Sequence, residues 1–144
     1  MTEFRVDAHD EGGVVVIDVE GRIDAFLVTK IREVINDLVQ DGKVRLIIRF
    51  QKVAQINSTA LGILIGRLRR VRMHSGDIKI VELSPDIRRV FDVMGASRIF
   101  DIHPDVDSAR ISFNASAVVT DVPATGPAAS TPPPTNLASS DRRN

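Results

Sequence analysis

Three consecutive polar residues, Asn57, Ser58 and Thr59, have side chains that could support chemistry. They lie between an apolar run that ends at Phe50 and a helical pattern that begins at Leu61. These residue types favour helix N-termini, so one interpretation is a helix cap with spare hydroxyl groups. The alternative is an anion site, because free backbone N–H groups and the helix dipole favour a phosphate there. A phosphate carried by Ser58 or Thr59 would add a charge of about −1.5 to −2 at neutral pH.

The helix predicted after this motif is strongly basic. Between Leu61 and Gly76 it contains no acidic residue, and its arginines are Arg67, Arg69, Arg70 and Arg72. Such a surface is either a solvated helix face or a docking face for an acidic partner.

Other signatures of enzymes and metal sites are missing. The sequence has no cysteine, no phosphate-binding P-loop and no Gly-x-Ser-x-Gly motif. His9, His74 and His103 are far apart, and none has a partner at metal-ligand spacing. Gly62 and Gly66 lie inside a helical pattern, which favours close packing over a nucleotide cradle. We therefore predict a protein that is not an enzyme and has no cofactor and no metal.

The apolar pattern predicts an α/β fold with the order β-β-α-β-α-β-α-β-α. Strands are predicted at residues 4–8, 14–19, 44–50, 78–83 and 99–102, and a short link follows residue 50. Helices are predicted at 27–39, 61–71, 85–94 and 105–117. Because crossover helices join parallel strands, we expect a mixed, mostly parallel central sheet of four to five strands with about four interleaved helices.

Length and composition predict one folded domain followed by a tail. The chain has 144 residues and equal numbers of basic and acidic side chains, 19 of each, which argues against a general nucleic-acid binder. Residues 120–144 contain five of the seven prolines among Ala, Ser and Thr, so we predict a domain over residues 1–117 and a disordered tail over 118–144. The sequence shows neither a signal peptide nor an apolar run long enough to cross a membrane. We therefore predict a cytoplasmic protein without membrane insertion.

Several motifs together resemble a STAS domain, specifically that of the bacterial anti-sigma-factor antagonists, over residues 4–117. The run from Gly21 to Asp24 matches the family's Gly-x-Leu/Ile-Asp motif. The run from Asn57 to Gly62 stands where the family has Asp-Ser-Ser/Thr-Gly-Leu-Gly. The third helix begins with a similar Ser84-Pro85 pattern.

The resemblance implies a partner-switching regulator. In that family, an anti-sigma factor with serine kinase activity phosphorylates the first serine of the motif, here Ser58, and then dissociates. Thr59 is a second candidate acceptor. A phosphatase restores the form that binds the anti-sigma factor and thereby frees a sigma factor. The expected partner-binding residues are Asp24, Asn57, Ser58, Thr59, Gly62 and Arg67, and the expected state is a monomer or weak dimer.

Two residues depart from the family motif, and other functions stay open. Asn57 replaces the usual Asp and removes a negative charge beside the acceptor, while Ala60 replaces a Gly. One alternative is a non-phosphorylated STAS subunit of a membrane lipid-transport ATPase complex. Another is a subunit of a sensory scaffold assembly. A third is an enzyme in which Ser58, Asp24 and a histidine converge in space.

Overall fold

The computed structural model describes the backbone of residues 5–121 and the side chains of residues 5–114. The chain divides into two units between Ala109 and Arg110. The sheet, its three connecting helices and the candidate site all lie in the first unit.

Five strands form one sheet in which sequence neighbours are also spatial neighbours. The strands are β1 (Arg5–Glu11), β2 (Val14–Ile23), β3 (Arg45–Ile56), β4 (Asp77–Val81) and β5 (Asp101–His103). β1 pairs antiparallel with β2 through a turn at Gly12 and Gly13, whose φ angles of 66° and 89° suit a two-residue hairpin. The other pairs are parallel, as the alternation of strands and helices predicts.

Helices connect the parallel strands across one face of the sheet. They are α1 (Ala25–Gln40), α2 (Ser58–Met73) and α3 (Pro85–Val93), and α4 (Val106–Asp121) follows β5. Right-handed crossovers between strands in sequential order place α1, α2 and α3 on the same side. Their apolar residues share one core with Ile17, Ile48 and Ile80 of the central strands. The Phe50 ring meets the Phe91 ring edge to face, with centroids 5.6 Å apart.

The predicted element order is confirmed, but several boundaries are wrong. β1 and β2 end at Glu11 and Ile23 instead of residues 8 and 19. Two further differences, in β3 and β5, have an evident cause. β3 continues to Ile56 in place of the predicted short link, because this second half pairs with the second half of β2, which runs on to Ile23. β5 begins at Asp101 rather than at residue 99. Ile99 ends a 3₁₀ turn, and Phe100 is buried in the core.

The last helix ends at Asp121, four residues beyond the predicted domain boundary. Residues 122–144 lie outside the described residues, so the predicted disordered tail over 118–144 stays a prediction. No helix in the described part of the chain is long and apolar enough to cross a membrane.

Candidate functional site

Two helix N-termini lie side by side at the carboxyl edge of the parallel strands. β2 and β3 end at Ile23 and Ile56, which are paired in register. The backbone N–H of Asn57 also donates to the Ile23 carbonyl oxygen at 3.4 Å. Neighbouring strands run about 4.8 Å apart, so α1 and α2 start from adjacent positions. This pairing brings Asp24 close to the Asn57 motif.

Asp24 caps α1. Its Oδ1 accepts hydrogen bonds from the backbone N–H groups of Phe26 at 3.1 Å and Leu27 at 2.9 Å. The side chain of Asp24 is exposed, and its backbone has the extended conformation typical of an N-cap residue. Its carboxylate is therefore both a structural cap and a fixed negative charge at the surface.

Asn57 caps α2 in the same way. Its Oδ1 accepts from the backbone N–H of Ala60 at 2.8 Å, and its carbonyl oxygen accepts from Leu61 at 3.0 Å. An amide oxygen makes the bond that a carboxylate would make, so the family's Asp is not needed for capping. What this sequence lacks at position 57 is the charge.

Ser58 and Thr59 are the first two residues of α2, and both are exposed. Neither hydroxyl has a hydrogen-bond partner among the described residues. Because Asn57 supplies the cap, the interpretation of all three residues as caps is too simple. The two hydroxyl groups are chemically spare, and the first turn of α2 contains no acidic residue that would repel a phosphate.

Gly62 lies one turn further along α2 and is exposed. A Cβ built on Gly62 or on Gly66 would meet no atom of the described residues within 4 Å. The prediction that Gly62 and Gly66 allow close packing is therefore wrong with respect to the described residues. At Gly62 the absent side chain instead leaves the surface beside Ser58 open.

Sequence reasoning missed Phe26, whose side chain is 59% exposed in the first turn of α1. The Lys30 ammonium lies 5.8 Å from the centre of its ring. The signal was present in the sequence, because Phe26 falls outside the apolar period formed by Leu27 and Ile31. We call the exposed group at the two helix starts the helix-start surface. It comprises Asp24, Phe26, Asn57, Ser58, Thr59 and Gly62.

Arg67 does not belong to the helix-start surface. It lies nine positions after Ser58, a rise of about 14 Å along α2. Its Nη1 donates to Asn36 Oδ1 of α1 at 2.7 Å. The basic face of α2 is also less uniform than predicted, because Arg72 bonds Asp77 at 3.0 Å and the Ile99 carbonyl at 2.9 Å.

The histidines are dispersed over the first unit. His9 bonds Glu11 at 2.5 Å, and His103 bonds Asp101 at 2.9 Å. His74 follows the far end of α2, about 24 Å along the axis from Ser58. Within residues 5–114, no group of three or more His, Cys, Asp or Glu side chains is placed to hold a metal ion.

The described structure is thus an α/β domain that presents two capped helix starts and an unengaged serine hydroxyl at one edge of its sheet. The sequence profile of the STAS domain matches residues 5–109. The chain belongs to the STAS domain family, as the resemblance implied.

Several proteins similar to this chain are named as anti-sigma factor antagonists. The chain is 30% identical over 99 residues to the anti-sigma-B factor antagonist of Bacillus subtilis. The matched region covers 69% of this chain and 90% of that protein. An anti-sigma factor antagonist from Mycobacterium paratuberculosis superposes with a TM-score of 0.69 at 25% identity, covering 76% and 93% of the two chains. The phosphorylated form of SpoIIAA from Bacillus shares the fold, with a TM-score of 0.58 at 23% identity and coverage of 78% and 99%.

Proposed function

We propose that this chain is an anti-sigma-factor antagonist that binds an anti-sigma factor through the helix-start surface and thereby frees a sigma factor. The observation that carries the proposal is the exposed Ser58 hydroxyl, which makes no bond within the described residues although it stands beside two fixed helix caps. The relatives named as anti-sigma-factor antagonists support the same role. In this proposal the protein acts in the cytoplasm as a monomer or weak dimer.

Phosphorylation of Ser58 is the proposed off-switch. The anti-sigma factor would act as the serine kinase, and a phosphatase would reverse the modification; Thr59 is the second candidate acceptor. A helix N-terminus accommodates a phosphate, so the fold need not change. At an interface the added charge brings repulsion and desolvation, and about 1.4 kcal/mol is already tenfold in affinity. SpoIIAA, a protein of the same fold, has been solved in both phosphorylated and unphosphorylated forms.

Gly62 and Phe26 support a protein partner over a small ligand. A glycine inside a helix costs about 1 kcal/mol relative to alanine, and none of the described neighbours requires Gly62. An open backbone there would let a partner approach α2 closely. Phe26 offers an exposed aromatic ring, the kind of residue that dominates binding energy at interfaces.

The experiment uses the full chain as bait in an extract of its native host, with wild type, Ser58→Ala and Ser58→Asp compared. We expect wild type and Ser58→Ala to retain an anti-sigma factor with a serine kinase domain, identified by mass spectrometry, and Ser58→Asp to lose it. The retained protein is then purified and tested for transfer of phosphate to wild type but not to Ser58→Ala. Thr59→Asp places the same charge one residue away and tests whether the second candidate acceptor can take the place of Ser58.

A second function is favoured by one observation, the uncharged cap at Asn57. A STAS subunit of a membrane lipid-transport ATPase complex, or of a sensory scaffold assembly, would need the cap but no charge that assists phosphate transfer. In the first case all baits would retain the same transporter subunits. In the second case the purified chain would elute at high mass on a sizing column.

A further inference from the structure

A shallow, open cleft of about 600 Å³ lies on the surface between α1 and the C-terminal half of α2. We call it the basic cleft, and its lining residues are Asn36, Val39, Gln40, Arg67, Arg70 and His74. None of these six side chains carries a carboxylate. The cleft therefore concentrates positive charge in a chain whose formal net charge is zero.

Arg67 lines the basic cleft, is held to α1, and has one buried donor without a partner within residues 5–114. Its Nη1 bonds Asn36, but its Nε is buried and has no hydrogen-bond partner among the described residues. Burial, followed by the charges of Arg70 and Arg32, lowers the pKa of Arg67 below its usual value. Crowding of positive charge at Arg67 is unfavourable, and a negative charge bound beside Arg67 and Arg70 would offset it.

The chemistry of the cleft favours a carboxylate on a chain. Guanidinium groups pair with carboxylates in a planar, two-bonded geometry, and two arginines here face the same opening. The cleft lies between the same two helices whose starts form the helix-start surface. The cleft lies about 14 Å along α2 from Ser58 and about half a turn around it, so a partner that contacts both must extend round the side of α2 that faces α1.

We propose that the basic cleft is a second docking point, at which Arg67 and Arg70 bind carboxylate side chains of an acidic segment of the partner protein. The identity of that partner rests on the proposed function. The separation from Ser58 exceeds the Debye length of about 8 Å at physiological salt, so phosphorylation leaves this contact largely unaffected. The modified chain would then lose the contact at the helix starts while the cleft still holds the partner weakly.

The test is an NMR titration of the ¹⁵N-labelled full chain with a hexaglutamate peptide, with hexaglutamine as the neutral control. We expect hexaglutamate alone to shift the amide signals of Asn36, Gln40, Arg67 and Arg70, and the binding to weaken as salt is raised. Inorganic phosphate is titrated separately. Shifts absent from the cleft, equal shifts with hexaglutamine, or tighter binding of phosphate than of the peptide would each overturn the proposal.

Three variants make the assignment specific. Arg70→Ala should weaken hexaglutamate binding about tenfold, and Arg67→Lys should weaken it although the charge is kept, because lysine lacks the planar fork. Arg69→Ala, on the exposed face of the same helix but outside the cleft, should change it less than about twofold. Melting curves verify that each variant is folded. If Arg69→Ala and Arg70→Ala lost hexaglutamate affinity equally, the binding would depend only on net charge, and the proposed site would be wrong. This result is independent of the Ser58 baits, so either proposal can fail alone.

Discussion

The backbone N–H of Asn57 donates to the carbonyl oxygen of Ile23 at 3.4 Å, and this bond joins the start of α2 to the end of β2. Asp24 follows Ile23 directly, so the caps of α1 and α2 are fixed by the same pair of strands. The fixed geometry explains why residues 33 positions apart in sequence belong to one surface. It also means that the surface can be probed by single substitutions without loosening the sheet.

Gly62→Ala should separate binding from stability. We expect the free energy of unfolding to rise by about 0.5–1 kcal/mol, because alanine favours the helix and its Cβ meets no described atom within 4 Å. Binding of the anti-sigma factor should nevertheless weaken. Gly66→Ala is the matched control and should stabilise α2 with unchanged binding. Urea unfolding and calorimetric titration measure the two quantities, and equal binding by both variants would remove Gly62 from the interface.

Asn57 should contribute to stability through its cap alone. Asn57→Ala should lower the free energy of unfolding by about 1 kcal/mol, because the bond to the Ala60 N–H is lost. Asn57→Asp should preserve stability, because a carboxylate accepts the same bond and suits the helix dipole. The same urea measurements check both variants. If Asn57→Asp proved as unstable as Asn57→Ala, the capping role would be wrong.

Phe26→Ala should weaken partner binding by at least about tenfold with little change in stability, because exposed aromatic residues are frequent binding hot spots. Met73→Ala is a useful control: its side chain is 82% exposed on α2 at the end far from Ser58. Titration calorimetry with the purified anti-sigma factor compares the two variants. A loss of affinity in Met73→Ala as large as in Phe26→Ala would argue against a defined surface at the helix starts.

Acid should destabilise the fold partly through Asp101. Burial alone would raise the pKa of this carboxyl group, but hydrogen bonds from Lys79 at 2.6 Å and His103 at 2.9 Å outweigh it, and the pKa lies below its usual value. A lowered pKa stabilises the fold above the unfolded value of about 3.9, and the contribution is lost as the pH falls through the folded value.

Asp101→Asn should therefore lower the free energy of unfolding by about 1–2 kcal/mol at pH 7, because Lys79 is buried and loses a charged partner. The difference from wild type should shrink as the pH falls below the unfolded-state pKa of about 3.9, and it should vanish only once the folded wild-type carboxyl is itself protonated. Urea unfolding at pH 7, 5 and 3 measures this trend. Asp37→Asn, an exposed substitution on α1, should show no such dependence. A difference that stays constant with pH would contradict the assignment.

Much of the fold was predictable because its central strands are unbroken β-branched runs and its helices have regular apolar periods. The second half of β3 was not predictable in this way. Residues 51–55 lack a buried alternation, and pairing with β2 holds them extended. The sequence of residues 51–55 alone does not indicate that β2 lies beside them.

The candidate site was predictable in part. The residue types of Asp24 and the Asn57 motif are typical of helix starts, and the resemblance assigns both to the partner-binding residues. The open space around Gly62 and the attachment of Arg67 to Asn36 depend on how α1 packs against α2. Phe26 could have been found from its departure from the apolar period.

The central claim is most directly tested by the affinity of the purified anti-sigma factor for wild type and Ser58→Asp. We predict a Kd at least about tenfold weaker for Ser58→Asp, which corresponds to about 1.4 kcal/mol. Stability should stay within about 1 kcal/mol of wild type, because an acidic residue suits the first turn of a helix. An unchanged Kd, or a large loss of stability with unchanged binding, would contradict the claim that a charge on Ser58 controls the partner.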